Sequence, residues 1–164
     1  MTSTGVALPG GTTYLIPTHL RDGDRRLLVI RDEIRRILVS TEPHVAVLED
    51  LPRHAMGAGV TAHVHGIVKT ELLDFDVPYA LVAPATLKSY ATDYGKATKE
   101  RMAAAAYLAT GVEFSHDRGG DRCDAWWLRA AGLDHYGRPE FTLPDAQRAR
   151  LDKVRWPELR TEAP

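Results

Sequence analysis

The stretch HVAVLED, residues 44–50, decides the fold of this 164-residue chain. Residues 44–48 form a short, nearly continuous apolar run, which is typical of a β-strand buried on both faces of a sheet. The run YALV at residues 79–82 repeats the pattern and precedes Pro84, which favours the first turn of a helix. Strands followed by helices indicate an α/β fold, whose ligands gather at the carboxyl edge of the sheet. Glu49 comes directly after the first strand and is therefore a candidate site residue.

The segments on either side of these strands alternate between extended and helical patterns. A β-hairpin is expected at residues 4–16, because the turn PGG at residues 9–11 separates two runs that contain β-branched and aromatic residues. Helices are expected from hydrophobic spacing, capping residues or strong helix formers at the following positions: from a cap at Asp22 or Asp24 to about Ser40, 60–73, from Pro84, from Lys99 after Thr98, 121–132 and 145–154. This order predicts an α/β protein with a mixed β-sheet flanked by helices.

The composition restricts the class of protein but not its function. With 44% hydrophobic and 26% charged residues, the chain is neither disordered nor collagen-like, and its length allows burial of about 70% of the unfolded surface. The 21 Lys and Arg residues against 22 Asp and Glu mean that any nucleic-acid binding must come from a local patch. We expect a cytoplasmic protein without an internal disulfide, because Cys123 is the single cysteine and neither a signal peptide nor a membrane-spanning stretch is recognisable.

Two further acids, Asp121 and Asp124, lie three residues apart at the expected start of a helix and therefore face the same side. If they converge with Glu49, the three carboxylates repel one another unless a divalent cation such as Mg²⁺ lies among them. Paired ions about 3.5–4 Å apart can activate a water and stabilise the leaving oxygen in phosphodiester cleavage. The alternative is a surface acid at a strand end and two aspartates that merely favour a helix N-terminus. Spacing alone favours this alternative, because such acids are common.

A stretch rich in lysine separates Glu49 from the two aspartates. It contains the basic residues Lys88, Lys96, Lys99 and Arg101 but only two acidic residues, Asp93 and Glu100. Lys99 is expected in the first turn of a helix, where the helix dipole disfavours a cation. A cation in that position suits contact with a phosphate beside exposed backbone N–H groups. A solvated helix face explains the same charges equally well.

Taken in order, three segments resemble the RuvC-type Holliday-junction resolvases, which have the RNase H-like fold. The segments are AVLED (46–50), PYALVAPATLKSYATDYGKATKERM (78–102) and DRCDAWWL (121–128). No single segment is diagnostic, but their ordered set is, and the resemblance covers about residues 4–133.

The resemblance implies a role for each matching residue. Glu49 matches the strand-end glutamate of the family, and Asp121 and Asp124 match its paired C-terminal aspartates. These three are the implied catalytic residues and ligands of Mg²⁺ or Mn²⁺. Lys88 matches the lysine after the P-x-x-V/L-K turn, and Lys99 matches the lysine that opens the next helix. The implied DNA-binding residues are Lys88, Lys99, Lys96 and Arg53.

The implied activity is that of a metal-dependent endonuclease of DNA recombination and repair, which cuts four-way junctions or other branched DNA. The family acts as a homodimer built on the helix that here follows residues 57–59, and the small residues of this helix allow close approach of a second copy. Residues 1–138 are the expected nuclease domain, and residues 139–164 are an expected peripheral C-terminal arm.

The chain departs from the family pattern in two places. The first strand of the family carries an aspartate in a pattern like I-G-[IL]-D-x-S, whereas residues 1–5 contain no acid. Because that strand is central in the RNase H-like sheet, we expect the true start codon to lie upstream. We also expect the hairpin at residues 4–16 to be unpaired, or poorly paired, with the strand that ends at Leu48. The second departure is Pro52, which stands where bacterial resolvases often have an aromatic residue that probes the bases of the junction.

Two other functions remain open at this point. One is a catalytically silent DNA-binding relative that keeps the fold but lacks one metal ligand. The other is an RNase H-like nuclease that acts on structured RNA.

Other candidate residues have plainer explanations. His63 and His65 are two apart, so on a helix they point in different directions and are expected to be partly exposed rather than zinc ligands. Cys123 lies between two aspartates, whose charge raises a thiol pKa and makes it a poor nucleophile. One of the two residues Trp126 and Trp127 is expected in the core and the other under the C-terminal arm. Stacking of either on a nucleic-acid base is the alternative.

Overall fold

The structure is a computed structural model that describes residues 2–51 and 58–159. Its strands are β1 (Thr2–Ala7), β2 (Thr13–Thr18), β3 (Ala46–Glu49) and β4 (Tyr79–Val82). Its α-helices are α1 (Arg25–Thr41), α2 (Ala58–Asp74), α3 (Pro84–Thr92), α4 (Lys99–Thr110), α5 (Asp121–His135) and α6 (Asp145–Arg148). Short 3₁₀ helices cover Leu20–Asp22 and Ala149–Lys153, so the single helix predicted at 145–154 is divided in two. None of the helices described is long and apolar enough to cross a membrane.

In the described part of the chain, the strands form two separate two-stranded sheets. β1 and β2 are antiparallel, with Thr2 opposite Thr18, whereas β3 and β4 are parallel, with Glu49 opposite Val82. The hairpin is therefore not paired with β3, which confirms the expectation for the strand that ends at Leu48. The prediction that this strand is buried on both faces is wrong. All four residues of β3 are partly exposed, because β3 pairs on one side only among the described strands.

Two helical layers cover both sheets. On one face, α1 and α2 bury a cluster that includes Ile16 of β2, Ile30 of α1 and Leu72 of α2, with Leu48 of β3 packed against it. On the other face, the helices from α3 to α5 bury a second cluster around Trp127. Both sheets contribute side chains to the first cluster, and the mixed α/β architecture is confirmed.

Helix α5 packs closely on both sheets, which explains two glycines. A Cβ atom at Gly5 of β1 would lie 1.9 Å from the carbonyl oxygen of Asp121. A Cβ atom at Gly132 would lie 2.8 Å from Cγ2 of Val47 in β3. The prediction that α5 ends at Gly132 is therefore wrong: the helix continues to His135, and the glycine makes room for the sheet.

The described residues after position 139 pack against α3 and α5. Phe141 stacks on Trp126 with ring centroids 5.5 Å apart. Trp127 is fully buried and donates its indole N–H to the carbonyl oxygen of Met102 at 3.1 Å. Both indoles therefore lie in the interior, as expected, and neither is open to a nucleic-acid base. The division into a domain at 1–138 and an arm at 139–164 stays a prediction.

Candidate functional site

The three carboxylates predicted as site residues lie near one another, where β3 ends and α5 begins. Glu49 is the last residue of β3, Asp121 is the first residue of α5, and Asp124 follows one turn later. Ser3 of β1 donates a hydrogen bond from its hydroxyl to the carboxylate of Asp121. The contact of Gly5 with the backbone of Asp121 fixes the start of α5 against the same strand. A shift of the first turn of α5 away from the hairpin would therefore break its contacts with β1.

Burial and mutual repulsion perturb two of the acids. Burial raises the pKa of Glu49 to about 7, and the negative charge of Asp124 adds to the effect, while Lys88 opposes it. Burial also raises the pKa of Asp124 to about 6, with Lys88 and Lys99 opposing the rise and Asp121 adding to it. These shifts mean that the three carboxylates and two lysines share one electrostatic environment.

The donor chemistry of this environment suits a hard divalent cation. A cation near Glu49 and Asp124 would offset the burial and repulsion that raise their pKa values. Within residues 2–51 and 58–159, however, no three His, Cys, Asp or Glu side chains are close enough to form a metal-ligand group. The carboxylates are close enough to influence one another's pKa but do not form a closed set of ligands.

Lys88 and Lys99 reach this site from different helices. Lys88 is half-buried on α3, the helix that follows β4. Lys99 is the first residue of α4, and its side chain lies against Gly120, where a Cβ atom would be 3.1 Å from Cδ of Lys99. Gly120 has a φ of 72° and directly precedes Asp121. This backbone conformation favours glycine at position 120, and the absence of a Cβ atom there leaves room for the side chain of Lys99.

The remaining predicted basic residues are less informative. Lys96 is exposed in the turn between α3 and α4, and it is not among the lysines that shift the pKa of Asp124. Arg53, predicted to bind DNA, and Pro52, the departure from the family pattern, both lie outside the described residues. Their roles stay predictions.

Sequence reasoning missed two residues beside the carboxylates, Ser3 and Asp117. One carboxylate oxygen of Asp117 accepts a hydrogen bond from the backbone N–H of Cys123 at 2.9 Å. Its other oxygen is buried and has no hydrogen-bond partner among the described residues. The charge of Asp117 also raises the pKa of Asp124. An acid shortly before a helix is a capping signal that could have identified Asp117, whereas no local pattern marks Ser3.

The other candidate residues behave as the sequence predicts. Burial raises the pKa of the Cys123 thiol to about 12, and the charge of Asp124 adds to this, so a thiolate nucleophile is disfavoured. His63 and His65 lie on α2 at an exposed and a partly buried position, respectively. Burial lowers the pKa of His65, which favours its neutral form.

Comparison with known proteins gives a sequence relative. No protein-family model matches the chain. The chain is 33% identical over 88 residues to the crossover junction endodeoxyribonuclease RuvC of Thermomicrobium roseum. The match covers 52% of this chain and 53% of the relative, so it spans about half the length of that curated protein.

Solved structures match over a larger share of the chain. The structure of Thermus thermophilus RuvC matches with a TM-score of 0.59 and 19% identity, covering 77% of each chain. The structure of T. thermophilus RuvC in complex with a Holliday junction substrate matches with a TM-score of 0.64 and 18% identity, covering 80% of this chain and 82% of that one. These matches confirm the predicted RNase H-like fold of RuvC. Together with the sequence match, they confirm the resemblance to the RuvC-type resolvases.

Proposed function

We propose that this chain, which has the fold of RuvC and resembles it in sequence, is a metal-dependent endonuclease that cuts branched DNA. The observation that carries the proposal is the placement of Glu49, Asp121 and Asp124 in one electrostatic environment with Lys88 and Lys99. Acids that repel one another suit a divalent cation, and lysines beside them suit the phosphates of a phosphodiester substrate. Four-way junctions are the favoured substrate, because a relative is named a crossover junction endodeoxyribonuclease and a similar structure contains a Holliday junction.

In this proposal Glu49, Asp121 and Asp124 hold Mg²⁺ or Mn²⁺, which supplies activation of water and stabilisation of charge in phosphodiester hydrolysis. Lys88 and Lys99 bind phosphates of the strand, fix its position and offset negative charge that develops in the transition state. Ser3 orients the carboxylate of Asp121 through its hydrogen bond. Glu49 and Asp124 are buried in an environment of lower dielectric constant than water, so their electrostatic interactions with a bound cation would be stronger than in water.

We also propose a homodimer formed through α2. Gly59, Ala62 and Gly66 lie on one face of this helix and are exposed, and a Cβ atom at either glycine would meet no atom within 4 Å. A second copy on this surface would place two sites against the two-fold symmetry of a four-way junction. An activity on DNA is in keeping with the cytoplasmic location that the sequence predicts.

A second candidate is a DNA-binding relative that does not cleave. It is favoured by one observation, the absence of a closed metal-ligand group among the described residues. In this candidate the lysines bind phosphates, and the carboxylates are remnants of a site. Binding then depends on Lys88 and Lys99, but no added metal produces cleavage.

The test is a cleavage assay on labelled four-way junction, duplex DNA and structured RNA, with Mg²⁺, with Mn²⁺ and with a chelator. Junction cleavage that requires metal supports the proposed nuclease. Junction binding without cleavage in any metal supports the second candidate. Cleavage of the RNA in preference to the junction would replace DNA with RNA as the substrate.

A further inference from the structure

A pocket of about 290 Å³ lies where β2 ends and α1 begins. Its polar lining consists of Thr18, His19, Asp22, Arg25 and Arg26. Two arginines and a histidine therefore face one aspartate. The carboxylate of this aspartate also lies 3.9 Å from the exposed guanidinium of Arg21, outside the pocket. The lining thus has an excess of positive charge.

Arg26 is the most informative residue of the pocket, because it is buried and has no acidic partner among the described residues. It is only 6% exposed. A buried guanidinium is costly unless an anion compensates its charge. Within residues 2–51 and 58–159, no carboxylate lies within salt-bridge distance of Arg26, and its hydrogen bond is a long one from Nη2 to the carbonyl oxygen of Val60, at 3.4 Å. Its Nε and Nη1 donors have no partner among the same residues.

The other buried charges of the described chain do have partners. Glu71, 3% exposed, accepts a hydrogen bond from Nε of Arg35 at 2.8 Å. Asp134, 7% exposed, is paired with Arg148. Arg26 thus differs from the other buried charged residues that the structure describes, which are paired.

The start of α1 adds to the positive potential of the pocket. Arg25 and Arg26 are the first two residues of the helix, where free backbone N–H groups and the helix dipole disfavour cations and favour an anion. Asp24 occupies the N-cap position, but its side chain makes no capping hydrogen bond. An anion in the pocket would therefore meet a guanidinium and helix N–H groups together.

The pocket and the candidate carboxylate site lie at the same end of the hairpin. Thr18 of the pocket lining pairs with Thr2 across the hairpin, and their hydroxyl oxygens are 2.9 Å apart. The next residue, Ser3, donates its hydrogen bond to Asp121. Because successive side chains of a strand point to opposite sides, the pocket and the carboxylates lie on opposite faces of this end of the hairpin.

We infer that this pocket binds a phosphate group of a nucleic-acid backbone, with Arg26 and Arg25 as its cationic partners. A guanidinium matches two oxygens of a phosphate in a fixed geometry, which a buried arginine can exploit. That the phosphate belongs to a nucleic acid rests on the proposed function, whereas the anion site itself rests on the pocket alone.

The anion site is tested with inorganic phosphate and no nucleic acid. Wild type, Arg26→Gln and the control Arg36→Gln are melted in phosphate and in chloride at equal ionic strength. We expect phosphate to raise the Tm of the wild type and of the control but not of Arg26→Gln. Arg36 is a matched control because it lies on the same helix, its side chain is 62% exposed and it lies outside the pocket. An absent response in the wild type, or an equal response in Arg26→Gln, would overturn the inference.

Arg25→Gln keeps the test decisive if Arg26→Gln fails to fold. Arg25 is exposed, so its replacement should leave the fold intact. We expect a smaller rise in Tm with phosphate than in the wild type. In an NMR titration of the wild type with phosphate, the amides of Arg25 and Arg26 should shift more than those of Arg35 and Arg36. Uniform shifts along α1 would overturn the inference.

Junction DNA then separates this inference from the proposed function. Arg26→Gln should reduce the dependence of log affinity on log salt by about one phosphate contact, whereas Arg36→Gln should not. A chain that cuts junctions with an unchanged salt slope in Arg26→Gln contradicts the pocket alone. A chain that binds no DNA, yet shows a phosphate response that requires Arg26, contradicts the proposed function alone.

Discussion

Replacing Glu49 with glutamine should stabilise the metal-free protein at high pH and remove the part of the pH dependence of its stability that arises at this residue. Burial, helped by the charge of Asp124, raises the pKa of Glu49 from an ordinary value of 4.5 to about 7. The folded protein therefore binds a proton at Glu49 that the unfolded chain has already released between these two values. In that window the free energy of unfolding falls as pH rises, because the unfolded state binds fewer protons.

The size of the effect follows from the same shift. At about 1.4 kcal/mol for each unit of pKa, the rise to about 7 corresponds to an upper bound of about 3 kcal/mol. Repulsion from Asp124 is part of this amount, and a neutral glutamine side chain in place of Glu49 removes that part together with the cost of burying the charge. Glutamine is close to glutamate in shape, so the packing of β3 should be little changed.

Urea unfolding of wild type and Glu49→Gln, with chelator, at pH 5 and pH 8 measures this difference. The two proteins should have similar stability at pH 5, and the variant should be more stable at pH 8 by about 1–3 kcal/mol. Glu113→Gln, at an exposed position between α4 and α5, is the control and should follow the wild type. A Glu49→Gln variant that is less stable than the wild type at pH 8 would refute the argument that burial and repulsion dominate at this residue.

Three further predictions concern the site and the core. Asp124→Asn should reduce junction cleavage by orders of magnitude but change junction affinity by no more than a few-fold, because affinity rests mainly on phosphate contacts. Cleavage and anisotropy assays measure the two quantities, and an equal loss of both would contradict the prediction. Lys99→Ala should lower the salt slope of junction binding by about one, with exposed Lys96→Ala as the comparison, and an unchanged slope would make Lys99 an ordinary helix-surface residue. Gly132→Ala should cost about 1–3 kcal/mol in urea unfolding, since its Cβ atom would lie 2.8 Å from Cγ2 of Val47, and a cost below about 0.5 kcal/mol would show that β3 moves aside freely.

Elements set by local sequence were predicted well. The hairpin turn, the Pro84 helix start and the Thr98 cap depend on residues within a few positions of each other. The structure has all three, and the Thr98 side chain accepts a hydrogen bond from the backbone N–H of Arg101. Local chemistry was sufficient for these elements.

Gly132 shows where local reasoning fails. A glycine after a helical pattern favours a helix end, but a glycine inside a helix also permits close approach of another element. Only the position of Val47, 85 positions earlier in the sequence, decides between the two. The exposure of β3 is a similar case, since it depends on which strands pair and not on its own residues.

The candidate site was predicted in part. The strand-edge rule marked Glu49 and the spacing of Asp121 and Asp124 marked the two aspartates. The resemblance to the RuvC-type resolvases then favoured a role for these acids and for Lys88 and Lys99. Ser3 was beyond reach, because its hydrogen bond to Asp121 spans 118 positions of sequence. Arg26 looks like one of several arginines on an amphipathic helix, and only burial distinguishes it.

The most direct test of the central claim is cleavage of a labelled four-way junction by purified wild type and Asp124→Asn, in Mg²⁺ and in chelator. If Glu49, Asp121 and Asp124 form a metal-dependent nuclease site, the wild type should cut the junction in Mg²⁺ only, and Asp124→Asn should bind the junction without cutting it. Cleavage that persists in chelator or in Asp124→Asn, or a wild type that binds but never cuts in Mg²⁺ or Mn²⁺, would contradict the claim.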